Sequence, residues 1–275
     1  MSHEVVRTRT GTLAMRSIAD GEVMHPGVGP LAEAAALYVA QSQLARRLAD
    51  HPAPLVLFDI GLGAASNALA ARAVSEAAPA DAARLHLVSF ERDLGALELA
   101  LASPDAAAFG LAAGSEPAAA ARALLDHGEH RTPRTHWQLL HGDMLAHLDT
   151  MSSTPAAPRA DIVYWDPFSP RTNPTLWTMA AFTSLLHAAG PRCTVFTYSA
   201  STATRIALLL AGWAVGVGDP TGDKRETTAA ARVASDLARP LDRQWLTRVA
   251  RADAPLPPDA PPDTPARVAA SPQFA

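Results

Sequence analysis

Five short runs of apolar, mostly β-branched or aromatic residues, at 55–60, 85–90, 136–140, 162–165 and 193–198, alternate with Ala/Leu-rich segments of helical character. That alternation confines the chain to few architectures, of which a parallel sheet joined by crossover helices is the natural one. The runs are nearly continuous in apolar character, as strands covered on both faces require. Two further segments, 213–217 and 226–232, bracket a polar turn at Gly222 and read as a terminal antiparallel hairpin.

The 275 residues suit one α/β domain with extensions. Ahead of the first run, residues 5–15 alternate apolar with basic or hydroxyl side chains, and Asp20-Gly21 is a turn signal, which together predict a small hairpin. Over 31–49, Leu37, Ala40, Leu44 and Leu48 share one face of an amphipathic helix. Residues 1–50 are therefore expected as an extension and helix packed on the core, and 51–234 as the main domain. Within it, 103–133 and 149–159 read as loop-rich, with a helix at 118–125. Seven prolines lie between Pro255 and Pro272, so 235–275 is expected to be a disordered Pro/Ala/Asp-rich tail.

No apolar run approaches the roughly 20 residues that span a bilayer, and the first nine residues are polar, which points to a cytoplasmic chain. Cys193 is the sole cysteine and excludes an internal disulfide or a cysteine-based zinc cage. His127, His130, His136 and His141 do not form the His-Glu-x-x-His spacing of a helical zinc site, so no metal is expected. A formal net charge of −4 argues against a strongly basic nucleic-acid clamp.

Chemistry is concentrated at the ends of the strands. Gly61-Leu62-Gly63 follows the first run directly and opens an Ala-rich helix; glycines there let the backbone turn sharply and approach a ligand. Glu91 directly follows the second run, where an acid can accept hydrogen bonds from ribose hydroxyls. Asp143, after the third, stands where an adenine amino group would need an acceptor, or does no more than bond local backbone N–H groups in a turn. After the fourth, the segment from Asp166 through Phe168, Pro170, Asn173 and Pro174 to Trp177 delivers an acid to the carboxyl edge of the sheet and holds an irregular loop with prolines and aromatics. Cys193 in an apolar strand reads as a small core residue.

The run Asp166-Pro-Phe168-Ser-Pro170-Arg-Thr-Asn173-Pro174-Thr-Leu-Trp177 resembles the Asp-small-Phe-Ser/Ala-Pro-x-x-Asn-Pro-x-x-Trp signature of the tRNA 5-methylaminomethyl-2-thiouridine methyltransferases. Ser89-Phe90-Glu91-Arg92 is similar to that family's Ser-Phe-Glu-Lys element, and Gly61-x-Gly63 with Asn67 to its cofactor turn. Thr197-Tyr198-Ser199 with Arg205 resembles its fifth strand and helix, and Asp20-Gly21, His25, Gly29 and Glu33 its lead-in. Pro167 stands where the family has Ala or Gly, Ala65 replaces a glycine, and Gly222-Asp223-Lys224-Arg225 replaces Gly-Arg-Lys.

The resemblance implies an α/β, Rossmann-like class I S-adenosylmethionine-dependent methyltransferase. Its mostly parallel sheet would end in an antiparallel hairpin. It implies S-adenosyl-L-methionine held by Gly61, Gly63, Asn67, Glu91, Arg92, Asp143, Asp166 and Phe168, and catalysis by Asp166. Phe168, Asn173, Trp177, Lys224 and Arg225 would meet the substrate, a tRNA whose wobble-uridine aminomethyl group is N-methylated. The family's flavin oxidase domain, fused in some members, has no room here, so a separate flavin oxidase would act upstream in the pathway. An alkyl ammonium titrates near 10.4, so an acceptor must free its lone pair, a role suited to Asp166. Two other readings stand beside this one. Asp166-Pro167-Phe168 also resembles the Asp/Asn-Pro-Pro-aromatic motif of amino-group methyltransferases, which with the acidic balance suits a small-molecule or protein substrate. The changes at Ala65 and Pro167 suit a cofactor-binding module without catalysis.

Overall fold

The computed structural model describes residues 2–25, 29–221, 225–251 and 255–275. The five apolar runs form the parallel centre of an eight-stranded sheet. They are β3 (Leu55–Ile60), β4 (Leu85–Glu91), β6 (Thr135–His141), β7 (Ala160–Trp165) and β8 (Ala189–Thr197), with β1 (His3–Arg7) and β2 (Leu13–Ser17) in a separate antiparallel hairpin. The short β5 (Glu129–Arg131) and the hairpin β9 (Ala214–Gly218) and β10 (Thr227–Ala231) complete it, in the order β5-β6-β4-β3-β7-β8-β10-β9. β5, β10 and β9 run antiparallel to their neighbours. The expected mixed sheet and its terminal hairpin are thus both present.

Register explains the two-sided core. In β3, Leu55 and Leu57 point to one face, where they join Leu37, Tyr38, Leu69, Leu97 and Trp137, while Phe58 and Ile60 point to the other, among Leu148, Phe182 and Ile206. The helices Leu44–Asp50, Ser66–Glu76, Gly95–Ala102 and Glu116–His127 cover the first face. Met144–Ser153, Met179–Ala188 and Thr202–Leu210 cover the second. Each buried aromatic or aliphatic side chain contributes about 1.5–3 kcal/mol relative to exposure, so both layers stabilise the sheet between them.

Several expectations need correction. Residues 31–49 are not one helix: a π-helical turn, Ala34–Ala40, gives way at Gln43, whose left-handed backbone (φ 53) redirects the chain into Leu44–Asp50. The helix Met144–Ser153 occupies part of the segment read as loop, and Ser115 caps Glu116–His127 through the amide of Ala118, extending that helix beyond 118–125.

The segment after 234 is not a disordered tail where it is described. Trp245, Val249, Val268 and Phe274 are buried against the second face. Gln273 takes the place of a missing strand at β9: its Oε1 accepts from the Val215 amide at 2.6 Å, and its Nε2 donates to the Val215 carbonyl at 2.7 Å. Prolines lower the helical and strand content of this segment without removing its scattered apolar anchors, and composition registers the prolines alone. No helix among the described residues is long and apolar enough to cross a membrane.

Candidate active site

The carboxyl ends of β3, β4, β6 and β7 surround a cavity of about 680 Å³. Its floor begins at Gly61. The glycine has φ 87, and a Cβ there would stand 2.7 Å from the Asp166 carbonyl oxygen, so only glycine lets the turn after β3 lie against the end of β7. The Asp166 amide donates to Ile60 at 2.9 Å and closes that contact. Gly63 is also left-handed (φ 53), and its amide donates to Glu91 Oε2 at 3.0 Å. The other Glu91 oxygen accepts the amides of Arg92 (2.8 Å) and Asp93 (2.9 Å). Ala65, where the resembled family has glycine, keeps the left-handed conformation (φ 68) and leads into the helix Ser66–Glu76.

Asp166 is buried at the end of β7, and its Oδ2 accepts a 2.7 Å hydrogen bond from the Asn67 side-chain amide. The Tyr38 hydroxyl faces the same carboxylate from the π-helical turn, short of full hydrogen-bond geometry. Burial pushes the Asp166 carboxyl above the usual carboxylate range; His25 opposes that shift, Glu33 adds to it, and Tyr38 and Asn67 oppose it. The Tyr198 hydroxyl donates to the Pro167 carbonyl at 3.0 Å, and burial together with Asp166 raises its own titration well above that of free tyrosine.

The loop from Asp166 to Trp177 is held from two sides. Trp177 donates its indole N–H to the Phe168 carbonyl at 2.8 Å. Glu22, from the turn after β2, accepts the Ser169 amide at 2.8 Å, the Ser169 hydroxyl at 2.7 Å and the Thr172 hydroxyl at 2.5 Å. The Phe168 ring lies nearly parallel to His3 of β1, with centroids 6.4 Å apart.

Of the residues singled out from sequence, Gly61, Gly63, Glu91, Arg92, Asp143, Asp166, Phe168 and Asn173 line this cavity. Asp143 also caps the helix Met144–Ser153, accepting the Leu145 amide at 2.8 Å and the Ala146 amide at 3.2 Å, the local backbone contacts expected of an acid in this turn. Three residues stand elsewhere. Asn67 is buried behind Asp166 and reaches the cavity only through that carboxylate, and Trp177 is 2% exposed, an anchor of the loop instead of its surface. Arg225 is exposed and outside the cavity wall. Lys224 lies outside the described residues. Sequence reasoning gave Glu22 no role, and treated His25 and Glu33 only as points of resemblance. His25 and Glu33 sit beside Asp166, and no local pattern announces that meeting, since the fold brings them from over 130 positions away.

The donor set fits a nucleoside-bearing cofactor. A glycine cradle that a Cβ would fill, a helix beginning at Ser66, and a carboxylate at the end of the adjacent strand are the parts that backbone approach and hydroxyl recognition need. Among the described residues, no three His, Cys, Asp or Glu side chains stand where they could hold a metal ion.

Residues 122–233, which contain Asp143 and the whole 166–177 loop, match a family model described as S-adenosyl-L-methionine-dependent methyltransferase. Over 242 residues the chain is 32% identical to the tRNA 5-methylaminomethyl-2-thiouridine biosynthesis bifunctional protein MnmC of Aeromonas hydrophila, a match covering 84% of this chain and 35% of that protein. The chain is an S-adenosyl-L-methionine-dependent methyltransferase, similar over most of its length to a part of MnmC. The MnmC of Paraburkholderia phymatum is 34% identical over 210 residues, covering 74% of this methyltransferase and 31% of the relative. The chain thus spans about a third of the length of these curated relatives. The crystal structure of MNMC2 from Aquifex aeolicus shares the fold, with a TM-score of 0.71 at 21% identity over 97% of this chain and 82% of that one. S-adenosyl-L-methionine is the cofactor of this methyltransferase.

Proposed function

We propose that this methyltransferase N-methylates the aminomethyl group of a wobble-uridine modification in tRNA. The observation that carries the reading is Asp166, a buried carboxylate at the end of β7, on the cavity wall beside the Gly61 turn.

Gly61, Gly63 and the start of the Ser66 helix hold the cofactor's polar end by close backbone approach, and Glu91 takes the ribose hydroxyls. Glu91 Oε2 accepts one amide, and a carboxylate oxygen has a second lone pair for such a contact. Asp143 retains Oδ2 for the adenine edge, because both of its capping bonds use Oδ1. When bound, S-adenosyl-L-methionine supplies the methyl group as an electrophile on a positively charged sulfur.

Asp166 accepts an N–H of the substrate ammonium and takes its proton, leaving the nitrogen lone pair free and directed by the hydrogen bond. Burial raises the carboxyl above its ordinary range, which makes it a stronger base than an exposed aspartate. Phe168 presents an aromatic wall to the modified base, and Arg92 and Arg171 add two cations to the cavity wall for RNA phosphate. An oxidase acting upstream would supply the amine.

The test is methyl transfer from labelled cofactor to tRNA whose wobble uridine carries the aminomethyl group, followed by nucleoside analysis. Label in that single nucleoside is expected. Intact cofactor binding with no label in tRNA overturns the substrate assignment.

A further inference from the structure

We propose that His25 is a positioning residue that holds Asp166 in its carboxylate form and so keeps it able to take the proton of the acceptor amine. The inference deepens the reading above and rests on its amine substrate.

His25 lies between two acids. Its Nε2 is 3.7 Å from Asp166 Oδ2, and its Nδ1 is 3.6 Å from Glu33 Oε2. The three side chains are 15%, 9% and 12% exposed, so solvent screens them little. They come from three places: the turn after β2, the helix Pro30–Glu33, and the end of β7. His25 has a left-handed backbone, φ 51, a conformation uncommon outside glycine but one that histidine tolerates better than most residues.

A buried carboxylate tends to take up a proton, and a neighbouring carboxylate strengthens the tendency. Both influences act on Asp166, through burial and Glu33. The buried acid Asp59 and the side chains of Tyr38 and Tyr198 are also near enough to couple to it electrostatically. Of the influences that favour the ionised form, His25 is the largest, ahead of the nearby Tyr38 hydroxyl and the hydrogen bond from Asn67. Glu33 stands on the far edge of the ring, so His25 has a carboxylate facing each of its nitrogens. The proton step balances within this set. An N–H bond of the substrate ammonium breaks, its electron pair stays on nitrogen, and the proton passes to the Asp166 carboxylate; an Asp166 already protonated has nowhere to put it.

The test begins without substrate. The Asp166 carboxyl carbon is followed by NMR titration of the full chain labelled at aspartate, its signal assigned by loss in Asp166→Asn. Parent, His25→Asn and His25→Lys are compared; asparagine tolerates the left-handed backbone, so the fold is retained. The Asp166 midpoint is expected to rise by about one pH unit or more in His25→Asn, the size of an opposite charge at this range, and to return toward the parent in His25→Lys. An unchanged midpoint in His25→Asn overturns the proposal. The acidic limb of kcat/KM for methyl transfer should move up with it while the high-pH plateau stays near the parent, whereas a merely structural role would lower the rate at every pH. A parent chain that leaves tRNA unmethylated sinks the substrate reading alone, and the titration still decides the case of His25.

Discussion

Gly61 and Asp166 meet backbone to backbone, with room for no Cβ between the turn after β3 and the end of β7. The Gly61 turn and the acid are therefore held together as one unit. Gly61→Ala forces both a left-handed alanine and a 2.7 Å contact, and is expected to cost about 2 kcal/mol or more of stability and to weaken cofactor binding. Denaturant unfolding and calorimetry on the variant measure both; unaltered stability would mean the two strand ends can part without loss.

Glu91 accepts three backbone amides, from Gly63, Arg92 and Asp93, and so shapes the wall on which the ribose would rest. Glu91→Ala should weaken S-adenosyl-L-methionine binding roughly 10-fold or more, as loss of a charged acceptor costs about 1.5–3 kcal/mol. Unchanged affinity by calorimetry would remove Glu91 from the site.

The buried Asp59 accepts the Ser89 hydroxyl at 2.8 Å, and burial pushes its carboxyl up to about 8. The unfolded chain titrates it near 3.9, so the folded state holds the extra proton between those values. The stabilisation is full below the unfolded value and lost as pH rises toward about 8. Asp59→Asn keeps an acceptor for Ser89 and cannot ionise. Its melting temperature, followed from pH 5 to 8, should fall less steeply than that of the parent; parallel curves would show that Asp59 does not titrate there.

Much of this architecture was legible from the chain alone, for a physical reason. Strands buried on both faces must be apolar throughout, and 55–60 is recovered to the residue as β3. Glycine and acid at strand ends were legible because each directly follows or ends an apolar strand run, a placement visible in the local sequence. Trp177 was misread because an aromatic in a loop looks available, while its indole N–H is spent on Phe168. Glu22 and His25 were illegible as site residues because their partners lie across the fold. The tail misled through composition: Phe274 and Val268 are two anchors in a proline-rich stretch, 2% and 1% exposed.

That correction carries its own expectation. Ending the chain after Arg239 removes Leu241, Trp245, Val249, Val268 and Phe274, all buried, at about 1.5–3 kcal/mol each. The sum rivals the ~5–15 kcal/mol that holds a typical domain folded, so the truncated chain should fail to fold cooperatively. A truncated protein with the parent's melting temperature would show that the segment is dispensable.

The central claim is that the Asp166 carboxylate takes the proton of the acceptor amine, and single-turnover methyl transfer to the aminomethyl tRNA by Asp166→Asn, at saturating cofactor and across pH, tests it most directly. Asparagine keeps the shape and one acceptor but cannot take the proton. The account predicts a rate lower by on the order of 100-fold or more with cofactor binding retained. A rate within about threefold of the parent at every pH would contradict it.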